Sequence, residues 1–324
     1  DHQFGLLVQV PALREQLAGT TACAAEAHRV ILWDEVSETE GTGIVHIAPG
    51  CGADDFRLGR DEQLPIVAPL DDEGYFVAGF GWLTGQHVSE VPEPICAALQ
   101  TKNLLYHVAP YTHRYPTCWR CGVELVFRLV DEWFISMDEL RHDLMQITQQ
   151  IRWIPSFGLE RELDWLRNMH DWMISKKRYW GLALPFWECL ECGHYEVLGD
   201  EQELAARAVA GWEEFQGHTP HRPYIDAIKI ACSQCGAHMQ RITDVANPWL
   251  DAGIVSFSTL GYRTDRASWR EWYPADWISE SFPGQFRNWF YSLLVMATVL
   301  EKSAPFRECF GYATLFAEDG RAMH

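Results

Sequence analysis

Two short cysteine motifs constrain this chain more than any other feature. Cys189-Leu-Glu-Cys192-Gly and Cys232-Ser-Gln-Cys235-Gly repeat one five-residue pattern. A cysteine pair of this spacing offers two sulfur ligands from a single turn. The glycine that follows lets the backbone bend so that amide N–H groups face the sulfurs. Two such knuckles give four thiolates, which satisfy the tetrahedral preference of Zn2+ and leave no position for water. The pattern therefore predicts a structural zinc site of Cys189, Cys192, Cys232 and Cys235, carried by a zinc-binding insertion over 188–241. A redox pair, or cysteines that face solvent, is the competing reading of the residues alone. A third pair, Cys118-Trp-Arg-Cys121-Gly, has no matching pair nearby. It is either half of a metal site or two reduced thiols.

Cysteine usage also bears on location. Close pairs followed by Gly point to metal knuckles in a reducing compartment, so a cytoplasmic protein is expected. No apolar run approaches the ~18 residues that cross a bilayer, and no membrane partner is expected. The first residues lack the basic start and long apolar stretch of a secretory signal. The chain does not begin with Met, and an internal piece of something longer is expected. Its 324 residues suffice for two domains, and a hydrophobic content of 48% permits a packed core. The net charge of -19 argues against a general nucleic-acid binder. Contact with RNA would have to be confined to local basic patches. A monomer is expected.

The texture changes along the chain. VILWDEV, GTGIVHIAPG and LPIVAPL are short β-like runs broken by Gly and Pro, with a hairpin turn at Asp71 to Phe76 and a short helix over Glu93 to Thr101. Further on, Leu140, Leu144, Ile147 and Ile151 share one helical face, and Leu204, Ala208 and Trp212 do the same over Glu201 to Phe215. Phe286 to Lys302 is apolar enough for a helix buried on most sides. Strand candidates Tyr224–Ala231 and Phe310–Phe316 lie between, and alternating strands and helices predict a parallel α/β sheet.

Two segments offer chemistry. GTGIVHIAPGCGADDF sets His46 at the end of an expected strand, then Gly50 and Gly52 in a loop that can approach a ligand, then Asp54 and Asp55. A carboxylate there can pair with an ammonium group, and an imidazole can orient water. Surface residues would look the same. Lys176, Lys177 and Arg178 form the dense basic cluster, interleaved with Tyr179 and Trp180, on which bases can stack while phosphates meet the cations. A solvated charged turn is the alternative.

The pattern GTG-x-V-H-x-A-P-x-x-G-x-D-D resembles the editing-domain motif of the isoleucyl-tRNA synthetases, a class I family. The resemblance continues in order through YPTCWRCGVELVFRLVDEWFI at 115–135, DWMISKKRYWGLALPFW at 171–187, HRPYID at 221–226, DVANPWLDAG at 244–253, PADWISESFPGQFRNWFYSLLV at 274–295 and the terminal GYATLFAEDGRAMH. It implies an α/β fold in which a partial Rossmann-like class I catalytic domain carries a β-rich partial editing domain and the zinc insertion. The implied divisions are 1–108 (C-terminal part of the editing domain), 109–187 (return to the catalytic domain, with a helical insertion), 188–241 (zinc) and 242–324 (second half of the catalytic domain). It further implies ATP-dependent attachment of isoleucine to tRNA, with Mg2+, and hydrolysis of mischarged valyl-tRNA. Asp55 would anchor the substrate ammonium and His46 would contact the ribose or position water. Gln285 and Trp289 would face the aminoacyl-adenylate, and Lys176, Lys177 and Arg178 would bind substrate.

The departures are specific. Ser281 and Gly284 stand where the family has acidic residues, and Ala322 stands at the first lysine of its DGRKMSKS element. No H-x-G-H occurs in the chain. Phosphoryl chemistry needs positioned positive charge, so this polypeptide alone is not expected to activate isoleucine. The second expectation is a degenerate paralogue that binds RNA or protein.

Overall fold

The computed structural model describes residues 30–37, 39, 43–118 and 121–323. Expectations that fall on 1–29, Gly41, Thr42, Trp119, Arg120 and His324 lie outside them. The chain divides into two compact units, Asp1–Asp131 and Glu132–His324.

The first unit is built on helices and turns. Helix α1, Ala53–Asp61, opens with Asp54 and Asp55 in its first turn, where carboxylates meet the positive end of the helix dipole. Helix α2, Pro92–Thr101, starts with a proline whose missing N–H costs nothing there. The expected hairpin turn is present: Asp71 Oδ1 accepts the amides of Glu73 and Tyr75, both at 2.9 Å, and Leu70 bridges Phe76. The expectation of a β-rich unit is corrected. VILWDEV, GTGIVHIAPG and LPIVAPL form no strand ladder among the described residues of this unit, where only isolated bridges occur. Extended runs become strands when a neighbour takes their backbone N–H and C=O groups. Here Val30 and Leu32 stay exposed. The loop expected at Asp54 and Asp55 is helix α1 instead.

The second unit begins with β1 (Phe134–Ile135), α3 (Asp138–Thr148), β2 (Arg152–Ile154), α4 (Phe157–Asn168), β3 (Trp172–Met173) and β4 (Ser175–Lys176). An antiparallel module follows: β5 (Phe186–Glu188), β6 (Tyr195–Val197), α5 (Glu201–Arg207), β7 (Ala208–Ala210), α6 (Trp212–Phe215), β8 (Lys229–Ala231) and β9 (His238–Arg241). Its five strands run in the order β6-β5-β9-β8-β7. The chain then returns through β10 (Val245–Ala246), α7 (Pro248–Gly253), α8 (Val255–Ser258), α9 (Arg266–Trp272), β11 (Ala275–Ser281), α10 (Phe282–Gln285), α11 (Trp289–Glu301) and β12 (Phe306–Tyr312). β11, β12 and β2 form a parallel sheet with β12 in the middle. The unit is thus mixed α/β with several sheets, and the cysteine-bearing module interrupts the parallel one.

The apolar face read from Leu140, Leu144, Ile147 and Ile151 does turn inward, the last three fully buried. Helix α11 buries Phe290, Leu293, Leu294, Val295 and Ala297, as its uniform apolarity requires. Gly253 lets α7 lie directly on it, since a Cβ there would sit 2.6 Å from the Ser292 carbonyl oxygen. Phe282 fills the layer beside the sheet. Its ring occupies the space a side chain at Gly311 would need, a Cβ there meeting it at 1.8 Å.

Three expected elements are corrected. Glu201 to Phe215 is two helices with β7 between them. Gly211 breaks the run with φ +77°, and a Cβ there would meet Ala227 O at 2.0 Å. Tyr224–Ala231 starts as a 3-10 turn, Tyr224–Ala227, before β8. The last strand is Phe306–Tyr312, earlier than Phe310–Phe316.

Candidate metal centre and associated sites

The two cysteine motifs fold as turns of separate hairpins. The first joins β5 to β6: Cys189 N–H donates to His194 O (2.8 Å) and Gly193 N–H to Cys189 O (2.8 Å). The second joins β8 to β9 with the same pattern, Cys232 N–H to Ala237 O (2.8 Å) and Gly236 N–H to Cys232 O (3.0 Å). Gly193 and Gly236 adopt φ of +71° and +76°, the left-handed conformation that glycine takes without strain. β5 pairs with β9, which brings the turns together at one end of the sheet.

The four sulfurs lie within 4.8 Å of one another. Cys189 Sγ is 3.5 Å from Cys235 Sγ, and Cys192 Sγ is 3.7 Å from Cys232 Sγ. Tetrahedral zinc with Zn–S bonds of about 2.3 Å places its sulfurs about 3.8 Å apart, so the donor set fits that ion. Amides are aimed at the sulfurs as the glycines allow. Those of Cys235 and Gln234 hold the Cys232 thiol down to about 6, against burial. The His194 amide acts likewise on Cys192, but burial and the other three thiols outweigh it and push that thiol up to about 12. Among the described residues this is the one group of three or more His, Cys, Asp or Glu side chains able to share an ion.

The described residues of the third pair make the same two backbone bonds. Cys118 N–H donates to Val123 O (2.8 Å), Gly122 N–H to Cys118 O (2.8 Å), and Gly122 has φ +72°. Cys118 is half-buried and Cys121 exposed.

The basic cluster is less free than its sequence suggests. Lys177 Nζ pairs with the buried Asp244 carboxylate at 3.0 Å. Burial lowers the Lys176 pKa, which Glu132 partly opposes. Arg178 is exposed, as are Tyr179 and Trp180. Trp180 stacks on His221 with centroids 5.3 Å apart, and the Arg222 guanidinium lies 4.7 Å from the Tyr179 ring centre. Gln285 ends α10, and its Oε1 accepts the Trp289 amide at 3.1 Å, capping α11. Gln285 and Trp289 are both half-buried. In the first unit His46 is exposed outside any helix or strand, while Asp55 is half-buried on α1 and folds back over Gly52.

Several of these partners escaped the sequence. Asp244 opens the DVANPWLDAG motif, but nothing in the sequence marks it as the partner of Lys177; the pair Glu196–Arg207 belongs to no motif, and only its fold neighbours give it meaning. Arg241, buried in β9, donates Nε to Asp226 (2.7 Å) and Nη1 to the Leu184 and Asp244 carbonyls (3.1 and 2.9 Å), tying the module to the returning chain.

A family described as tRNA synthetases class I (I, L, M and V) matches residues 15–324. The isoleucine–tRNA ligase of Methanothermobacter thermautotrophicus is 38% identical over 297 residues, 91% of this chain and 28% of that protein. That of Methanopyrus kandleri is 36% identical over 332 residues, 97% of this chain and 30% of it. Isoleucine–tRNA ligase 2 of Pseudomonas fluorescens is 36% identical over 301 residues, 92% of this chain and 29% of it. The chain spans less than a third of the length of these relatives.

Proposed function

The chain belongs to the class I tRNA synthetases of the isoleucine, leucine, methionine and valine group, and from that premise we propose that it is part of a ligase joining isoleucine to its tRNA with ATP and Mg2+. The observation that carries the choice of isoleucine is the set of relatives bearing that name, aligned over about nine-tenths of the chain. The parallel sheet and α11 are assigned to a Rossmann-like catalytic domain formed by 109–187 and 242–324, with 188–241 inserted in it. In support, β2 and β11 flank β12 although the antiparallel module lies between them in sequence.

Zn2+ is assigned to Cys189, Cys192, Cys232 and Cys235 in a structural role, on the fit of four mutually close sulfurs. When bound it crosslinks two hairpins. Cys118 and Cys121 are assigned as half of a second such site, supported by the Cys118 and Gly122 backbone bonds, which repeat those of the other two turns. Gln285 and Trp289 face the aminoacyl-adenylate. With Gln285 Oε1 holding the Trp289 amide, the carboxamide nitrogen is left to donate. Lys176 and Arg178 meet RNA phosphates, and Lys177 anchors their segment through Asp244.

Residues 1–108 are assigned to the editing domain, which clears valyl-tRNA, with Asp55 binding the ammonium and His46 the ribose or water. A second sieve is needed because one missing methylene yields only ~1–3 kcal/mol, isoleucine against valine in this family being itself the standard illustration. The protein works as a monomer in the cytoplasm; among the described residues no helix is long and apolar enough to cross a membrane.

Ser281, Gly284 and Ala322 favour a second reading, a degenerate paralogue that binds RNA or protein. Isoleucine-dependent ATP–pyrophosphate exchange by the full-length protein separates the two. Exchange is expected, and none above background would overturn the ligase.

A further inference from the structure

The two knuckles come from different hairpins, so something besides the ion has to hold them face to face. One tie is the β5–β9 ladder, whose register pairs are Trp187 with Arg241 and Glu188 with Gln240. It fixes the start of the first knuckle against β9. The turn of the second knuckle, residues 233–235, lies beyond that ladder.

A second tie reaches this turn. Glu196 stands in β6, and its Oε1 accepts the Ser233 backbone N–H at 3.2 Å. Ser233 Oγ lies 3.3 Å from His194 Nε2, in the first knuckle. Arg207, at the end of α5, pairs with Glu196 Oε2 and donates to Ala231 O at 3.5 Å, just before Cys232. The amides that follow Ser233, those of Gln234 and Cys235, face the Cys232 sulfur. Three consecutive N–H groups of one turn thus have acceptors, the carboxylate first and the sulfur for the next two. Taking the Ser233 amide fixes the peptide planes that aim the next two.

The charges agree with this arrangement. Four thiolates around a divalent cation leave net negative charge, and a lone carboxylate beside them would be repelled. Arg207 neutralises Glu196, whose side chain is only 13% exposed. The pair can therefore sit against the centre where an unpaired carboxylate could not.

We propose that Glu196, held by Arg207, is a positioning residue for the four-cysteine centre, clamping the second knuckle onto the first hairpin so that sulfurs from both converge on one ion. This rests on the zinc assignment above. Second-layer partners of metal ligands typically contribute about 10- to 100-fold in affinity.

The test uses the full chain loaded with zinc, then with Co2+ as a spectroscopic probe. Glu196→Ala should release zinc to a chromophoric chelator with affinity lowered about 10- to 100-fold, and its cobalt ligand-field bands should shift. Glu196→Gln keeps an oxygen for the Ser233 amide, so it should lose less and move the bands back toward those of the parent. An alanine variant that binds zinc like the parent with the same cobalt spectrum overturns the proposal. Should that variant fail to fold, Glu196→Gln and Arg207→Gln decide it. Their losses should be less than additive in the double variant, and full additivity overturns the clamp. A parent chain that takes up no zinc overturns the metal assignment together with the clamp, whereas a zinc-bound parent indifferent to Glu196 overturns the clamp alone.

Discussion

Glu162 offers the sharpest test of the packing in the second unit. It lies on the buried face of α4, and both carboxyl oxygens are buried without a hydrogen-bond partner among the described residues. Burial raises its pKa well above the ordinary carboxylate value of 4.5. A pKa raised on folding means the native state holds the proton longer than the unfolded chain does. The side chain is therefore tolerated best below the unfolded value, and stability falls as pH climbs from there toward the folded value. Within that window each pH unit costs about 1.4 kcal/mol. Glu162→Gln keeps the shape and the unpaired polar atoms but has no proton to lose. It should match the parent near pH 4.5 and exceed it by about 1.4 kcal/mol per unit above, until the folded pKa is passed. Glu162→Leu also removes an unpaired buried polar group, which adds about 1–3 kcal/mol at every pH. Urea unfolding followed by tryptophan fluorescence, from about pH 4.5 to about pH 8, reads both effects. Other titrating groups cancel in the difference between variants. Parallel stability curves for the parent and Glu162→Gln would refute the reasoning, because they would mean that the carboxylate is ionised and solvated in the native state.

Two further outcomes follow, the first from the packing and the second from the proposed editing role of Asp55. Gly311→Ala drives a methyl group into the Phe282 ring and should cost about 1–3 kcal/mol, partly relieved by Phe282→Leu in the same chain; an unchanged urea midpoint would refute this packing. In the full-length protein Asp55→Ala should slow hydrolysis of valyl-tRNA about 10- to 100-fold, the worth of a hydrogen bond to a charged group, and leave isoleucine-dependent exchange intact; unimpaired deacylation would remove Asp55 from the editing site.

What could be read ahead of the structure was local and periodic. The helix around Leu144 and Ile147 followed from its own spacing, and the two cysteine turns from a five-residue pattern that dictates its own backbone. The module helix over 201–215 failed because β8, later in sequence, pairs with Ala208–Ala210 as a strand, and the left-handed Gly211, which alone leaves room for the Ala227 carbonyl, ends the run. The N-terminal runs have strand composition, but they find no ladder partner among the described residues. Glu196 was invisible for the same kind of reason. A glutamate in a short strand is unremarkable until the fold sets Ser233 and Arg207 around it. Gln285 shows a subtler gap: the motif pointed to substrate, while the structure also occupies its oxygen as a helix cap.

The central place of β12 has a consequence for how the chain is made. Its neighbours β2 and β11 both precede it, and among the described residues neither has another partner in the parallel sheet. During synthesis, residues 152–154 leave the ribosome about 150 residues ahead of 306–312, the segment they pair with. The hairpins between them need only near neighbours and can close first. A nascent chain stalled just short of Phe306 would therefore display a finished cysteine module while β2 and β11 still lack the strand that joins them, and unjoined strand edges are surfaces that chaperones bind and that aggregation exploits.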